Sequence, residues 1–444
     1  MLRRVPRFPA GAARWVARQV RRPAGAIVAV LIVAGGAVAI LLATGVIGGE
    51  ESAPPPAPGP PVVVRQTPAP SETQDVGFPD FATKNTTRVA GADPVADASG
   101  VALAVFPSRG GVEGPPAVTL VDAGDWASGI AASALMAAPI GAPVLLTEGG
   151  EIPTLTSDAL DALAPQGSPE TGKAQVFGVG DAARVKGIRT ETIHGKSPAA
   201  VASSIDRLRE QLTGSQPDHI VIATSEGPGY AMPAAAWAAR SGDTVLFSKR
   251  DSVPQATLQG LKRHENVPVF VLGPESAISK KAFAQVKKVS PGVQRVGAEG
   301  VVQNAIAFAR FNANGFGWNL NDPGHGFVIA NAQRPLDAGA AAPLSASGTW
   351  GALLVTPSAG SIPSALQDYL LDVKPGYAGD PTRAVYNHIW LMGDQSAISI
   401  PFQARVDQLA EVAPVRSGSG KSLLAPPPKA GKPQPAQPTP NHQQ

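Results

Sequence analysis

Asp122 and Asp125, in the run VDAGDW at 121–126, are the acids best spaced for chemistry, because they follow directly on an apolar strand. In open α/β sheets the rim beyond the strand ends is where ligands bind, and paired acids there suit acid–base work. The competing role for Asp125 is to cap the helix expected at 127–138. Gly178 to Ala183 fits the pattern G-x-G-x-x-A, which lets a pyrophosphate approach backbone amides at a helix start. The comparable turns Gly273-Pro274-Glu275-Ser276 and Gly393-Asp394-Gln395-Ser396 lack the second glycine, so a structural turn is the expectation. Gly420-Lys421-Ser422 imitates the end of a phosphate loop, but Val415 stands where the first glycine is required. The six histidines show no zinc-ligand spacing, there is no cysteine, and no G-x-S-x-G elbow occurs. The expectation is therefore no catalytic residue, no metal, no cofactor and no enzyme. His219 and His388 begin strands, where a solvated position is expected. Residues 308–325 set Phe311, Phe316 and Trp318 among four asparagines. Aromatic faces beside amides suit sugar rings, which makes Trp318 a candidate ligand contact; the alternative is a loop whose aromatics cover a core edge.

The elements that position these residues begin with a strongly uneven chain. The formal net charge is +3 over 444 residues, yet residues 1–22 carry seven arginines and no acid. The tail 416–444 adds four basic residues and no acid, which leaves −8 between the two ends. A mildly acidic body poor in aromatics does not suit nucleic acid, which needs a basic face. Residues 24–48 are uncharged, long enough for a helix to cross the ~30 Å hydrocarbon core. The arginines on one flank and Glu50 and Glu51 on the other place 1–23 in the cytoplasm and the body outside. A cleaved signal peptide is the rival, but its apolar region is usually about 7–15 residues. Prolines make 49–83 a linker, with 53–70 an extended spacer, and leave 416–444 a disordered tail.

Between them the sequence repeats at about 103 residues, giving units 84–188, 189–293 and 294–415. A first station, Arg88 to Asp93, is matched by Glu191 to Gly195 and Arg295 to Glu299. A second, strand, alanine-rich helix, strand, occupies 117–147, 219–248 and 327–356. A third is an apolar strand turning through glycine, with Gly178/Ala182, Gly273/Ala277 and Gly393/Ala397. Apolar runs alternating with helical segments such as 199–212 and 255–264 predict mostly parallel, covered sheets in three tandem open α/β units. Three equivalent units suit a pseudo-threefold arrangement, and the alanines permit close packing.

These stations resemble the cell wall-binding repeat type 2 family. The match rests on Gly124, Trp126, Ser128, Ala132, Leu135 and Pro143 to Thr147 in the first unit. In the third it rests on Asp337-Ala338-Gly339, Ala342-Pro343-Leu344 and Ala352 to Thr356, and in the second on Asp243 to Ser248 alone. Ser128 stands where the family has Asp, and the second and third units lack the proline before the strand. The resemblance covers nearly all of 84–412. It implies a pseudo-trimer of α/β domains that holds anionic cell-wall polysaccharide non-covalently. Asp125, Trp126, Ser128, Pro143 and Asp337 would lie at or near the ligand. An anionic polymer also needs donors, and Arg88, Arg295 and Arg334 are best placed: two open their units and one precedes Asp337 by three residues. Arginine's planar fork suits phosphate or carboxylate; the alternative is that these arginines bridge units by pairing with acids. The expectation is a membrane-tethered envelope protein that binds wall glycan. Its rivals are an exported wall-modifying hydrolase and a scaffold for another envelope protein.

Overall fold

The strands of the repeat form three sheets with a shared design of four parallel strands, the third extended by two short antiparallel strands. The first has the order Val144–Thr147, Val118–Asp122, Val176–Val179, Thr190–Ile193. The second has Thr244–Ser248, Ile220–Thr224, Val269–Leu272, Gln294–Val296. The third has Ala352–Thr356, Gly326–Asn331, His388–Met392, Thr86–Val89. The central strands are buried along nearly their whole length, as sheets covered on both faces require, except that His388 and Trp390 in the third sheet are half-buried. The computed structural model describes residues 64–65, 81–107, 114–346, 351–378 and 380–414. The expected cytoplasmic segment 1–23, membrane segment 24–48 and tail 416–444 lie outside them. Among the described residues no helix is long and apolar enough to cross a membrane.

Sheets and sequence units are offset by one strand. Thr190–Ile193 opens the second unit of the sequence but pairs with Val176–Val179, and Gln294–Val296 pairs with Val269–Leu272. Thr86–Val89, the first strand of the repeat region, pairs with His388–Met392 near its end. The third sheet is thus completed by the beginning of the chain. The helix after each offset strand crosses to the next sheet. Pro94–Val105 packs on Val144–Thr147, Pro198–Thr213 on Thr244–Ser248, and Val301–Arg310 on Ala352–Thr356. The alanine-rich helices Trp126–Ala132, Pro233–Ser241 and Asp337–Ala340 each touch the other two. The approach is close: a Cβ on Gly339 would lie 3.0 Å from the carbonyl oxygen of Gly129.

Two features depart from expectation. The proline-rich spacer is not wholly outside the sheets, because Val64–Arg65 pairs antiparallel with Phe81–Ala82, which pairs with the strand at 86–89. The β-branched run Val62-Val63-Val64 between the prolines supplies the strand propensity. The helix predicted at 127–138 stops at Ala132 and continues as a 3-10 turn to Met136.

Candidate functional site

The register of the sheets places Arg88, Thr192 and Arg295 at one equivalent position, opposite Leu391, Gly178 and Val271. Thr192, not Glu191, is therefore the match to the two arginines. Arg88 is buried. It donates Nε to Gln403 Oε1 (2.9 Å) and Nη1 to the carbonyls of Gly393 (2.7 Å) and Asp394 (2.8 Å). Arg295, half-buried, donates Nη1 to the carbonyls of Gly273 (2.7 Å) and Pro274 (3.1 Å) and Nη2 to Ile278 (2.7 Å), with its guanidinium over the Phe283 ring. Both arginines fasten the same turn, the one that leads from the third strand into the helices Ile400–Ala410 and Lys280–Val289. The first sheet has neither arginine nor helix there, only turn and loop over 180–189. The arginine and the turn-helix element occur together or not at all. That placement gives Arg88 and Arg295 hydrogen-bond partners within their own fold.

The turns share a glycine of positive φ whose amide bonds to the end of the next strand: Gly180 to Ile193, Gly273 to Val296 and Gly393 to Val89. Gly180 is thus the counterpart of the other two, where the sequence pattern had suggested Gly178. The G-x-G-x-x-A run opens no helix, so it lacks the amide cradle a pyrophosphate would need.

Arg334 lies between Asp97, with which it forms an ion pair, and Asp337, whose Oδ2 is 2.9 Å from Nε. Asp97 also accepts the amide of Gly91 at 2.8 Å. Burial pushes the Asp337 carboxyl up to about 6 although Arg334 opposes it. Burial, and then the charge of Asp337, hold Asp97 well above the ordinary carboxylate range. Two buried carboxyls beside one guanidinium tie the helix Pro94–Val105 to the third unit, which is the bridging alternative for arginine.

The other candidates are placed as follows. Asp125 caps its helix, accepting the amide of Ser128 at 3.0 Å and the Ser128 hydroxyl at 2.5 Å. Ser128 and Pro143 are buried. Trp126 packs edge-on against Phe247 of the second sheet with centroids 6.2 Å apart. Trp318 stands edge-on to Trp237 at 5.5 Å, and Phe316 stacks on Phe270 at 3.9 Å, so these aromatics cover a core edge. His219, expected at a solvated strand end, is buried beside them. The structure therefore distributes the candidates among caps and unit junctions and does not gather them into one cleft. Among the described residues no group of three metal-ligating acids or histidines forms. A pocket of about 300 Å³ is lined by Asp206, Arg209, Glu210 and Asp218. Its inner groups satisfy one another: Thr244 donates to Asp206 at 2.6 Å, and Arg209 donates to the carbonyls of Gly242, Ala134 and Ala138.

A different surface separates the units by charge. Residues 219–296, the second sheet and its helices, hold ten Lys and Arg against five Asp and Glu. Residues 114–193 hold four against nine, and 326–414 four against seven. The helices Gln255–Arg263 and Lys280–Val289 pack side by side. Ala282 and Val286 turn one face of the latter inward, while Lys280, Lys281, Lys287 and Lys288 are exposed, as are Lys262 and Lys249. Lys280 has a surface partner in Glu275 at 3.5 Å; the other five lysines make no ion pair among the described residues. Lys280 and Lys281 occupy the first helical turn, where the helix dipole disfavours cations. Helix stability does not account for these two, whereas Lys262, Lys287 and Lys288 lie in last turns, where the dipole favours cations. The charge of the tails and of the body taken whole conceals these lysines, and a count by unit exposes them.

No protein-family model and no curated protein matches the chain. Among solved structures, Cwp6 from Clostridium difficile is similar with a TM-score of 0.59 and 18% identity, covering 79% of this chain and 51% of that one. Cwp8 from Clostridium difficile is similar with a TM-score of 0.57 and 16% identity, covering 73% of this chain and 52% of that one. The chain spans about half the length of each. At this identity the likeness establishes a shared fold, with mixed α/β units and parallel sheets.

Proposed function

We propose that this is a cell-wall-associated surface protein, tethered through residues 24–48, that binds anionic wall polysaccharide non-covalently on the outer helices of its second unit. The observation that carries the reading is the charge partition: an excess of five cations on the middle unit between two units with an excess of acids. The fold shared with Cwp6 and Cwp8, cell wall proteins, supports it. Lysine is a mobile point charge and follows an irregular polyanion, whereas the arginine fork is suited to fixed partners such as the carbonyls it meets here. Each exposed lysine contributes little alone and is screened by salt, so binding rests on several acting together. The acidic flanking units repel the polymer and confine it to the basic face. The mechanism needs no covalent step and no cofactor. The test is sedimentation of the full chain, in detergent, with isolated cell walls before and after removal of their anionic polymers. Binding lost on stripping and weakened by salt supports the reading. Binding to stripped walls at unchanged strength points to a neutral glycan or a protein partner, and release of soluble wall fragments points to a hydrolase.

A further inference from the structure

His219 lies outside the proposed binding face, at the start of strand Ile220–Thr224, and its ring meets two oxygens. Nδ1 is 3.0 Å from Asp243 Oδ2 and Nε2 is 3.0 Å from the carbonyl oxygen of Asn314. A carbonyl oxygen can only accept. The Asp243 carboxylate already accepts the backbone amide of His219 at 2.8 Å and the indole N–H of Trp237 at 2.7 Å, so it too acts as an acceptor. A neutral imidazole has one N–H and would set a bare lone pair against one of these oxygens. Two acceptors, one at each ring nitrogen, call for two N–H groups.

Asn314 belongs to a tight turn closed by reciprocal bonds between Ala313 and Phe316, each 2.9 Å. Asn314 and Gly315 both have positive φ there (54° and 83°). The turn has two attachments to the second sheet. Phe316 plugs it apolarly against Phe270, and the His219 ring, packed beside both phenyl rings, holds its backbone. The first attachment is indifferent to pH. On the solvent side the turn displays Asn312 and Asn314, whose side chains have no partner among the described residues.

We propose that His219 is a doubly protonated pin that fastens the turn at 313–316 to the second sheet and releases it when the proton is lost. The charged groups facing the site are Asp243, against the ring; Asp218, the preceding residue; and Arg209, which acts on Asp243 from the helix Pro198–Thr213. Burial of the ring opposes the charge, but the hydrogen bond and charge of Asp243 outweigh it and raise the imidazole above its ordinary value of 6.5. A raised folded-state value stabilises the pinned turn fully below that ordinary value, and the contribution is lost as pH rises through the raised one. The pin therefore sets, by pH, how firmly an exposed pair of amides is presented at the edge of the second unit.

The test is ¹⁵N NMR of the full chain in detergent with labelled histidine, the His219 signal being assigned by its loss in His219→Gln. Amide exchange at Ala313 and Phe316 is followed alongside. Both ring nitrogens of His219 should show protonated shifts at pH 6. Between the ordinary value and the raised one, the exchange rates should climb by up to about two log units per pH unit instead of the intrinsic one, because opening itself releases a proton there; above the raised value the slope should return to one. His219→Gln should give Ala313 and Phe316 a slope of about one throughout, with faster exchange at low pH. A neutral ring at pH 6, or a slope of one at Ala313 at every pH in the unmodified chain, would overturn the proposal. The wild-type readings do not depend on the variant folding.

Discussion

Arg88, on a strand of the third sheet, and Lys281, on an outer helix of the second unit, carry the same charge. Arg88 is 1% exposed and ends on three oxygens of its own fold, whereas Lys281 stands in solvent without an ion-pair partner. The difference separates two uses of cations. A cation that recurs at a repeat station meets an element that also recurs, here the glycine turn and its helix. Lys281, confined to one unit, meets no internal ion-pair partner among the described residues and alters only the surface. Arg295 belongs with Arg88, since it reaches the two equivalent carbonyls, those of Gly273 and Pro274. Arg334 is also internal, although its partners are carboxyls.

The comparison is most easily broken at Arg334. Arg334→Met should cost about 3–5 kcal/mol in a denaturant melt, because Asp97 and Asp337 are left buried without a counter-charge. Adding Asp97→Asn should recover part of the loss; if it does not, the cluster is not electrostatic. Arg88→Ala should cost about 3 kcal/mol, since it leaves the carbonyls of Gly393 and Asp394 without this donor. Arg295→Ala should cost less, because its site is only half-buried. An Arg88→Ala protein of undiminished stability that no longer binds walls would return Arg88 to the ligand.

A smaller effect concerns pH. The folded Asp337 keeps its proton up to about pH 6, whereas an unfolded aspartate loses it near 3.8. The folded state therefore binds more protons between these values, and stability should rise as pH falls from 7 towards 4. Asp97 is shifted in the same direction. Thermal melts across this range should show the rise, and Asp337→Asn should reduce its slope. A wild-type protein that loses stability steadily from pH 7 to pH 5 would contradict the placement of these carboxyls.

Much of the architecture could be read before any coordinates. The helices expected at 199–212 and 255–264 form at Pro198–Thr213 and Gln255–Arg263, and the parallel, covered sheets follow from apolar runs alternating with helices. The offset of strands against units could not be read, because the partner of a parallel strand is chosen by long-range closure and leaves no local signal. Thr86–Val89 finds its neighbour some three hundred residues on. The roles of Arg88 and Arg295 were hidden for a related reason. A strand arginine looks the same whether it faces a ligand or the turn of the next element. Phe316 and Trp318 suited a sugar platform by composition, and the reciprocal turn at 313–316 folds them onto Phe270 and Trp237 instead.

The smallest expected effect on stability belongs to the lysines, and it carries the largest effect on binding. Lys280, Lys281, Lys287 and Lys288 changed together to Gln should each move stability by no more than about 0.5 kcal/mol, as for surface positions generally. Sedimentation of that protein with cell walls, beside the unmodified chain and over a range of salt, tests the central claim directly. The account predicts that the quadruple variant melts normally, binds at least about tenfold more weakly and loses most of its salt dependence. A variant that sediments as the unmodified chain does, with the same response to salt, would contradict the assignment of the second unit as the polymer-binding face.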